Sequence, residues 1–323
     1  MHTSSSSFIT DAKIAVVIPC YNVERHIEAV VKELPEFVSW IIAVNDCSRD
    51  GTLNLLYQIA QVESRLQVVN HPVNQGVGGA MISGYQEAIN LGAEVVVKMD
   101  GDGQMDASNI SFLVQPLLEG KSDFSKGNRF RDFKALRSMP IFRRIGNLGL
   151  SFMIKAASGY WNIFDPTNGF TAIRGDMLRQ LELARLHKRY YFETSMISEL
   201  YLQHAVIQDI PMKAKYGDEI SGLSIWKTLI EFPPKLLYTF LRRILLKYFL
   251  YDFNLGSLYL ISGAPIFLVG LIYGLVKYKF YLELGVGAPT GTVVIPTLMI
   301  IMGFQLLLAG LAFDVEHYPK KSV

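Results

Sequence analysis

Two carboxylates and a carboxamide follow an apolar run near the middle of the chain. Asp100, Asp102 and Gln104 come directly after residues 94–99, which have the composition of a buried strand. Oxygen ligands of this kind suit Mg²⁺ or Mn²⁺, and such an ion commonly holds a diphosphate whose charge must be neutralised during group transfer. Asp and Gly are also frequent in ordinary turns. Residues 100–104, called the acid loop below, therefore predict either a metal and diphosphate site or a turn without a ligand.

The segments around the acid loop indicate an α/β fold. Over the first 215 residues, apolar β-rich runs alternate with helical patterns, as in a mixed, mostly parallel sheet with helices on both faces. The predicted strands are residues 14–18, 40–44, 66–69, 94–99 and 123–127, and the predicted helices lie near 24–34, 51–62, 77–91 and 108–119. Ligands of such sheets gather at the carboxyl ends of the strands. The residues just after each strand are therefore the candidates for binding.

Three polar clusters follow predicted strands, and we expect them to meet at one edge of the sheet. They are residues 19–22 after the first strand, residues 45–48 after the second, and the acid loop after the fourth. Residues 76–79 add three glycines before a helix, but they follow the third strand and lack the last glycine of a dinucleotide-binding loop. These glycines are expected to allow close backbone packing or the approach of a sugar nucleotide.

The C-terminal part has the composition of a membrane anchor. Half of the 323 residues are hydrophobic and the mean hydropathy is +0.25. Residues 253–276 and 284–313 contain no Asp, Glu, Lys, Arg or His. Each stretch exceeds the roughly 20 apolar residues that a helix needs to cross a bilayer. The sequence predicts two transmembrane helices, and the alternative is a hairpin of buried core helices.

The chain is expected to divide into five segments. They are a disordered tail (1–12), an α/β domain (13–222), interfacial amphipathic helices (223–253), a two-helix transmembrane hairpin (254–318) and a short tail (319–323). Residues 223–253 mix bulky apolar side chains with Lys and Arg, which is typical of helices that lie in the headgroup layer. We expect a break at Pro233 and Pro234. Packing of these helices into the soluble core is the alternative.

Charge and cysteine content predict the compartment. No apolar stretch precedes Lys13, so we expect no cleaved signal peptide. Basic residues before the first span and after the second predict that the α/β domain and both termini are cytoplasmic, on the plasma or inner membrane in a bacterium. Cys20 and Cys47 suggest no disulfide framework, and a net charge of +2 argues against nucleic acid as a partner.

Three motifs together carry a family resemblance. Residues 16–22 (Val-Val-Ile-Pro-Cys-Tyr-Asn), residues 44–52 (Val-Asn-Asp-Cys-Ser-Arg-Asp-Gly-Thr) and the acid loop resemble successive signatures of family 2 glycosyltransferases. Within that family the chain is similar to the polyprenyl-phosphate sugar transferases, such as dolichyl-phosphate mannose synthase and its undecaprenyl-phosphate counterparts. The resemblance implies a Rossmann-like GT-A fold, a nucleoside-diphosphate sugar as donor, a polyprenyl phosphate as acceptor, and Mg²⁺ or Mn²⁺ as cofactor.

The resemblance also implies roles for individual residues. Asp46 would contact the nucleoside, Asp100 would support the ribose or diphosphate, and the metal ligands would be Asp102 and Gln104, with Asp100 beside them. A loop at 213–224 resembles the segment that closes over the donor and metal in this group; the expected arginine is missing, and Lys213 and Lys215 are the nearby candidates to substitute for it. The full set of predicted donor-binding residues is Pro19, Tyr21, Asn22, Asp46, Gly76, Asp100 and Lys215.

The acceptor determines whether a general base is needed. A lipid monophosphate has a second pKa of about 6, so it is largely a dianion near neutrality and needs cations rather than a base. Guanidinium groups fit phosphate oxygens, although a solvated helix start is an equal alternative for two of the candidates, Arg143 and Arg144. The predicted phosphate-binding residues are Arg129, Arg131, Arg143 and Arg144.

A hydroxyl acceptor would instead require a base, and Glu193 and Asp165 are the candidates. With Asp102 and Arg129, they complete the predicted catalytic residues. The sequence predicts an inverting, metal-dependent transfer of one hexose to a polyprenyl phosphate at the cytoplasmic face. The alternatives are extension of a polyprenyl-diphosphate-linked saccharide and a silent, membrane-anchored nucleotide-sugar-binding subunit. Glycines in the spans also allow a homo-oligomer.

Overall fold

Within the residues that the structure describes, seven strands form one mixed sheet in the computed structural model. The structure describes residue 9 and residues 11–128, 141–212 and 225–321, without the side chains at 141–145, 147 and 225–230. The strands are β1 (Ile14–Cys20), β2 (Trp40–Asn45), β3 (Leu66–Asn70), β4 (Val95–Lys98), β5 (Phe124–Asn128), β6 (Thr171–Arg174) and β7 (Ile207–Pro211), in the order β3-β2-β1-β4-β6-β5-β7. Strand β6 runs antiparallel to both β4 and β5, and the other pairs are parallel.

Helices connect the strands of this sheet. They are α1 (Ile27–Lys32), α2 (Thr52–Ala60), α3 (Val77–Asn90), α4 (Ile110–Leu118), α5 (Ile141–Ser158), α6 (Gly175–Gln180) and α7 (Phe192–Leu202), with single 3₁₀ turns at Ala107–Asn109 and Leu183–Arg185. All five predicted strands and the four predicted helices are confirmed. The sequence reasoning missed β6, β7 and the helices around them.

Burial on both faces explains why the central strands are continuous apolar runs. Ile14, Val16 and Ile18 of β1 are fully buried on one face, and Val17 is fully buried on the other. On that second face α3 comes so close that a Cβ at Gly84 would collide with the side chain of Val17. Parallel sheets covered by helices on both faces have this composition. The sheet therefore holds the strand ends in fixed positions.

The predicted break at Pro233 and Pro234 is wrong. Both prolines lie inside one helix, α8 (Ile225–Leu245). A proline removes one backbone donor and strains the preceding turn, but packing can offset that cost. Phe232 and Leu236, on either side of the prolines, are buried against Tyr191 and Ile154. This packing keeps α8 continuous across the two prolines.

The chain divides into two compact units, of which the second is Leu241–Tyr318. It contains the end of α8, a π-helical turn (Leu246–Tyr251) and two long helices, α9 (Leu255–Leu284) and α10 (Thr290–Glu316). Both long helices are apolar enough to cross a membrane, and only about a fifth of each apolar window is buried in the chain. Core helices of a soluble protein would be mostly buried, so this exposure favours membrane spans.

The two long helices pack closely through glycines. A Cβ at Gly263 would lie 3.2 Å from the carbonyl oxygen of Gly303, and a Cβ at Gly303 would press on the backbone of Phe267. Small residues at such positions let transmembrane helices approach each other.

Candidate active site

The carboxyl ends of β1 and β2 are joined by hydrogen bonds. The amide of Asp46 donates to the carbonyl of Cys20 at 2.8 Å. The amide of Asn22 donates to Oγ of Ser48 at 3.1 Å, and Oδ1 of Asn22 accepts from the amide of Arg49 at 2.8 Å. Two of the three predicted polar clusters therefore form one surface.

The same surface includes the predicted donor-binding residues on β1. Pro19 is the next-to-last residue of the strand, and Tyr21, just beyond its end, is 45% exposed. Asn22 has a left-handed backbone with φ of 56°, as does Cys47 with φ of 58°. Left-handed backbone is uncommon outside glycine and is concentrated at turns and functional sites. These turns follow the carboxyl ends of β1 and β2. The surface formed by residues 19–22 and 45–49 is called the ledge below.

Asp46 is the centre of a hydrogen-bond network beneath this ledge. Its side chain is 3% exposed. Oδ1 accepts from the amide of Gln75 at 2.8 Å and lies 2.8 Å from Nδ1 of His71, while Oδ2 accepts from the amide of Gly76 at 2.7 Å. Nε2 of His71 lies 2.8 Å from Oγ of Ser83 on α3. The carboxylate of Asp46 thus fixes the loop between β3 and α3.

Gly76 satisfies two constraints in this loop. Its φ of 85° lies in the region that favours glycine. A Cβ at this position would also collide with the carbonyl oxygen of Lys188. The glycines at 76 and 78 therefore allow the backbone of residues 187–189 to pack on the start of α3. Close backbone packing was one of the two roles predicted for these glycines.

The acid loop turns tightly after β4. The amide of Gln104 donates to Oδ1 of Asp102 at 2.9 Å, and Gly103 has φ of 74°. A Cβ at Gly101 would lie 3.5 Å from the carbonyl oxygen of Pro19, so the loop borders the end of β1. All three predicted clusters therefore meet at one edge of the sheet.

The acid loop fits a divalent ion that arrives with a diphosphate. Its oxygen donors are two carboxylates and one carboxamide, which suit Mg²⁺ or Mn²⁺. Among the described residues, no group of three or more acidic, His or Cys side chains is close enough to enclose a metal. Mg²⁺ is usually held by one or two carboxylates together with substrate phosphates rather than by a complete protein cage. Substrate oxygens would therefore have to complete the coordination.

A buried lysine joins the acid loop to α7. Nζ of Lys98 lies 2.7 Å from Oδ1 of Asp100 and 3.4 Å from Oε1 of Glu193, and the lysine side chain is 2% exposed. Burial acts against the charge of Lys98, but Asp100 and Glu193 outweigh it and hold the pKa of this lysine above its ordinary value. Glu193, in the first turn of α7, is therefore half of an ion pair.

A second buried lysine supports the segment before β6. The ammonium group of Lys126 donates to the carbonyl of Asn168, two residues before Phe170. Burial lowers the pKa of Lys126 to about 8, an effect that Asp165 and Glu193 partly offset. Asp165 has no exposed surface, and its Oδ1 accepts from Oγ1 of Thr167 at 3.4 Å.

Sequence reasoning missed these two lysines and His71 as parts of the site. A charged residue within an otherwise apolar strand was the available signal, since buried lysines are rare without a partner. Some predicted residues cannot be placed. Arg129, Arg131 and Lys215 lie outside the described residues, as do the side chains of Arg143 and Arg144.

Comparison with known proteins defines the family. The domain described as "Glycosyl transferase family 2" matches residues 15–182, more than half of the chain. The chain belongs to glycosyl transferase family 2. The predicted family is thus confirmed, and the chain is a glycosyltransferase.

Related family 2 proteins act on lipid phosphates, according to their names. The UDP-N-acetylglucosamine–dolichyl-phosphate N-acetylglucosaminyltransferase of Methanococcus voltae is 29% identical over 65% of this chain and 88% of its own length. The undecaprenyl-phosphate mannosyltransferase of Micrococcus luteus is 27% identical over 57% of this chain and 76% of its own.

The solved structures of other proteins confirm the GT-A type of sheet. Glucosyl-3-phosphoglycerate synthase from Mycobacterium tuberculosis, crystallised with UDP, has a TM-score of 0.55 and 18% identity over 75% of this chain and 84% of its own. The same enzyme crystallised with Mn²⁺, UDP and phosphoglyceric acid has a TM-score of 0.53, over 74% of this chain and 81% of its own. At this identity the similarity concerns the fold alone.

Proposed function

We propose that this glycosyltransferase moves one hexose from a nucleoside-diphosphate sugar to a polyprenyl phosphate, with inversion, and that a divalent ion assists. The relatives from Methanococcus voltae and Micrococcus luteus are named for dolichyl-phosphate and undecaprenyl-phosphate acceptors. The two apolar helices α9 and α10 suit a protein whose acceptor lies in a membrane. We place the α/β domain and both termini on the cytoplasmic side, following the distribution of basic residues.

The positions of the two candidate bases, Glu193 and Asp165, support a phosphate acceptor over a hydroxyl acceptor. A general base must reach the proton that it removes. Glu193 instead faces the buried ammonium group of Lys98 at 3.4 Å, and Asp165 has no exposed surface. A phosphate acceptor needs no base, because it is already largely a dianion near neutrality. The arrangement therefore favours a lipid phosphate over a sugar hydroxyl.

The reaction then consists of one displacement. An oxygen of the acceptor phosphate attacks the anomeric carbon from the face opposite the diphosphate, the new C–O bond forms, and the bond to the diphosphate breaks with its electron pair leaving on the nucleoside diphosphate. Asp102, Gln104 and Asp100 would hold the divalent ion, which would stabilise the charge that develops on the leaving group. We assign the acceptor phosphate to Arg129, Arg131, Arg143 and Arg144.

Donor binding is assigned to the ledge at the ends of β1 and β2. Pro19, Tyr21 and Asn22 would border the nucleoside, with Asp46 and Gly76 shaping the loop beside it. Lys215 would approach the donor phosphates. Binding at strand ends is the general rule for open α/β sheets.

Exposed apolar side chains near α5 and α8 fit a lipid substrate. Leu148 and Phe152 of α5 are each more than half exposed, as are Leu237 and Tyr238 of α8 and Phe164 between α5 and β6. Exposed apolar side chains of this kind are expected where a protein meets lipid. The protein would thus receive its acceptor from the membrane and its donor from the cytosol.

The test is sugar transfer by the purified full-length protein in detergent. Radiolabelled UDP- and GDP-hexoses, including UDP-N-acetylglucosamine, are offered with undecaprenyl phosphate and either Mn²⁺ or EDTA. We expect a lipid-linked product from one donor, formed only with the metal and with the anomeric configuration opposite to that of the donor. Undecaprenol, which has a hydroxyl in place of the phosphate, is the matched control and should give no product.

Other outcomes would contradict parts of the proposal. Product formed only on a polyprenyl-diphosphate-linked saccharide would indicate a hydroxyl acceptor. Product formed equally in EDTA would contradict the divalent ion. Nucleotide binding without transfer to any of these acceptors would indicate a silent binding subunit.

A further inference from the structure

We propose that Lys98 and Lys126 are a pair of positioning residues that fix the acid loop, residues 165–170 and the start of α7 in the arrangement that binds the donor. This inference depends on the proposed function, since it concerns how the donor site is held. Both lysines are buried, so neither is proposed to contact a substrate.

The sheet register places the two lysines together. Lys98 of β4 and Lys126 of β5 are both paired with Thr171 of β6, which lies between them. Residues paired across neighbouring strands point to the same face of a sheet. The two side chains therefore lie on one face, on either side of Thr171, and Glu193 and Tyr85 line the small internal cavity beside them. The pair is a consequence of the antiparallel strand β6.

Each lysine contacts a different part of the site. Lys98 reaches the acid loop through Asp100 at 2.7 Å and α7 through Glu193 at 3.4 Å. A Cβ at Gly169 would collide with Nζ of Lys98, so the segment before β6 lies directly over this ammonium group. Lys126 donates to the carbonyl of Asn168 in the same segment. The pair thus connects three segments that are far apart in the sequence.

Energetics favour a positioning role over a purely stabilising one. Charged groups in a dry interior lose their hydration, and replacing a buried ion pair by apolar residues is often neutral or stabilising. Valines precede Lys98 in β4, so an apolar residue would suit the strand. Without Lys98, the carboxylates of Asp100 and Glu193 would lose their shared cation and repel each other. An anionic donor would then meet uncompensated negative charge.

Binding of UDP and GDP, each with Mn²⁺, tests the inference by calorimetry on the full-length protein in detergent. We expect Lys98→Met to bind the nucleotide that serves the wild type at least tenfold more weakly. In the double variant Lys98→Met with Glu193→Gln, one positive and one negative charge are removed together, and we expect at least threefold recovery relative to Lys98→Met. Arg65→Met is the matched control, because Arg65 also forms a partly buried ion pair, with Glu63. This pair lies just before β3, at the amino end of the strand, whereas the donor site lies at the carboxyl ends.

The single variant Glu193→Gln provides a second test that does not depend on the folding of Lys98→Met. A positioning role predicts a higher KM for the donor and a turnover rate within about tenfold of the wild type. A role as general base predicts instead that turnover falls by about two orders of magnitude or more while donor affinity is unchanged, and this result would overturn the inference.

Wild-type affinity in Lys98→Met, or losses without recovery in the double variant, would overturn it as well. Absence of nucleotide binding by the wild-type protein would overturn the proposed function, and the positioning role with it.

Discussion

Nδ1 of His71 lies 2.8 Å from Oδ1 of Asp46, and both side chains are buried. The same carboxylate accepts from the amides of Gln75 and Gly76. We therefore predict that Asp46→Asn weakens folding as well as donor binding, because an amide can replace only part of this acceptor set. The expected loss in the free energy of unfolding is about 1–3 kcal/mol, measured by thermal or chemical unfolding alongside nucleotide titration.

Asp50→Asn is the control for this prediction. Asp50 accepts from the amides of Glu24 and Thr52 just before α2, but it is exposed, so water can replace an acceptor that the amide does not supply. The control should keep both stability and affinity. If Asp46→Asn lost affinity with unchanged stability, Asp46 would contact the nucleoside directly, as the family resemblance implies, and would not organise the loop.

Asp102 should be essential for turnover and dispensable for folding. Asp102 is only partly buried, and its Oδ1 accepts from the amide of Gln104 within the acid loop. Asp102→Ala should lower turnover by about three orders of magnitude, because the metal supplies several kcal/mol of charge stabilisation, and should leave the unfolding temperature nearly unchanged. Asp106→Ala in the adjoining turn removes a cap on the 3₁₀ turn and should cost about 1 kcal/mol of stability with turnover retained. Wild-type turnover by Asp102→Ala at saturating Mn²⁺ would exclude Asp102 as a metal ligand.

The strand ends could be predicted from the sequence because they depend on local patterns. Apolar runs located β1 to β5, and the rule that ligands lie at the carboxyl ends of parallel strands brought Asn22, Asp46 and Asp100 to one edge. The structure confirmed this convergence through hydrogen bonds between residues 20–22 and 46–49.

The lysine pair could not be predicted, because it depends on long-range register. Strand β6 has only four residues, and its antiparallel insertion between β4 and β5 is what brings Lys98 and Lys126 to either side of Thr171. The prediction for Pro233 and Pro234 failed for a related reason. Proline does favour a break in a helix, but the packing of Phe232 and Leu236 offsets that preference here.

Lys126 should make stability depend on pH in the alkaline range. Burial lowers its pKa from 10.5 to about 8, so the unfolded chain binds more protons than the folded protein between these values. The free energy of unfolding should therefore rise with pH from about 8 to 10.5, by an amount of about 3 kcal/mol attributable to this residue. The measurement is the difference in unfolding free energy between wild type and Lys126→Met across that range, with Lys121→Met, an exposed lysine, as control. A difference independent of pH would contradict the lowered pKa.

Asp314 should be necessary for the integrity of the second unit. Its carboxylate accepts from Arg243 at 2.7 and 3.0 Å and from the hydroxyl of Tyr248 at 2.7 Å, and the side chain is 5% exposed. Removing one member of a buried ion pair leaves the other charge unpaired, at a cost of about 3–5 kcal/mol. Asp314→Leu should therefore lower the unfolding temperature in detergent and expose the second unit to protease.

The double variant Arg243→Met with Asp314→Leu separates this cause from a general loss of packing. It removes Arg243 and Asp314 together and leaves only Lys247, which lies 3.3 Å from Oδ1 of Asp314 and is 14% exposed, so it should recover part of the stability lost by Asp314→Leu alone. Glu283→Leu, at an exposed position near the end of α9, is the control and should match the wild type. Additive losses in the double variant would mean that Arg243 and Asp314 stabilise the unit independently, and the ion pair would not be the cause.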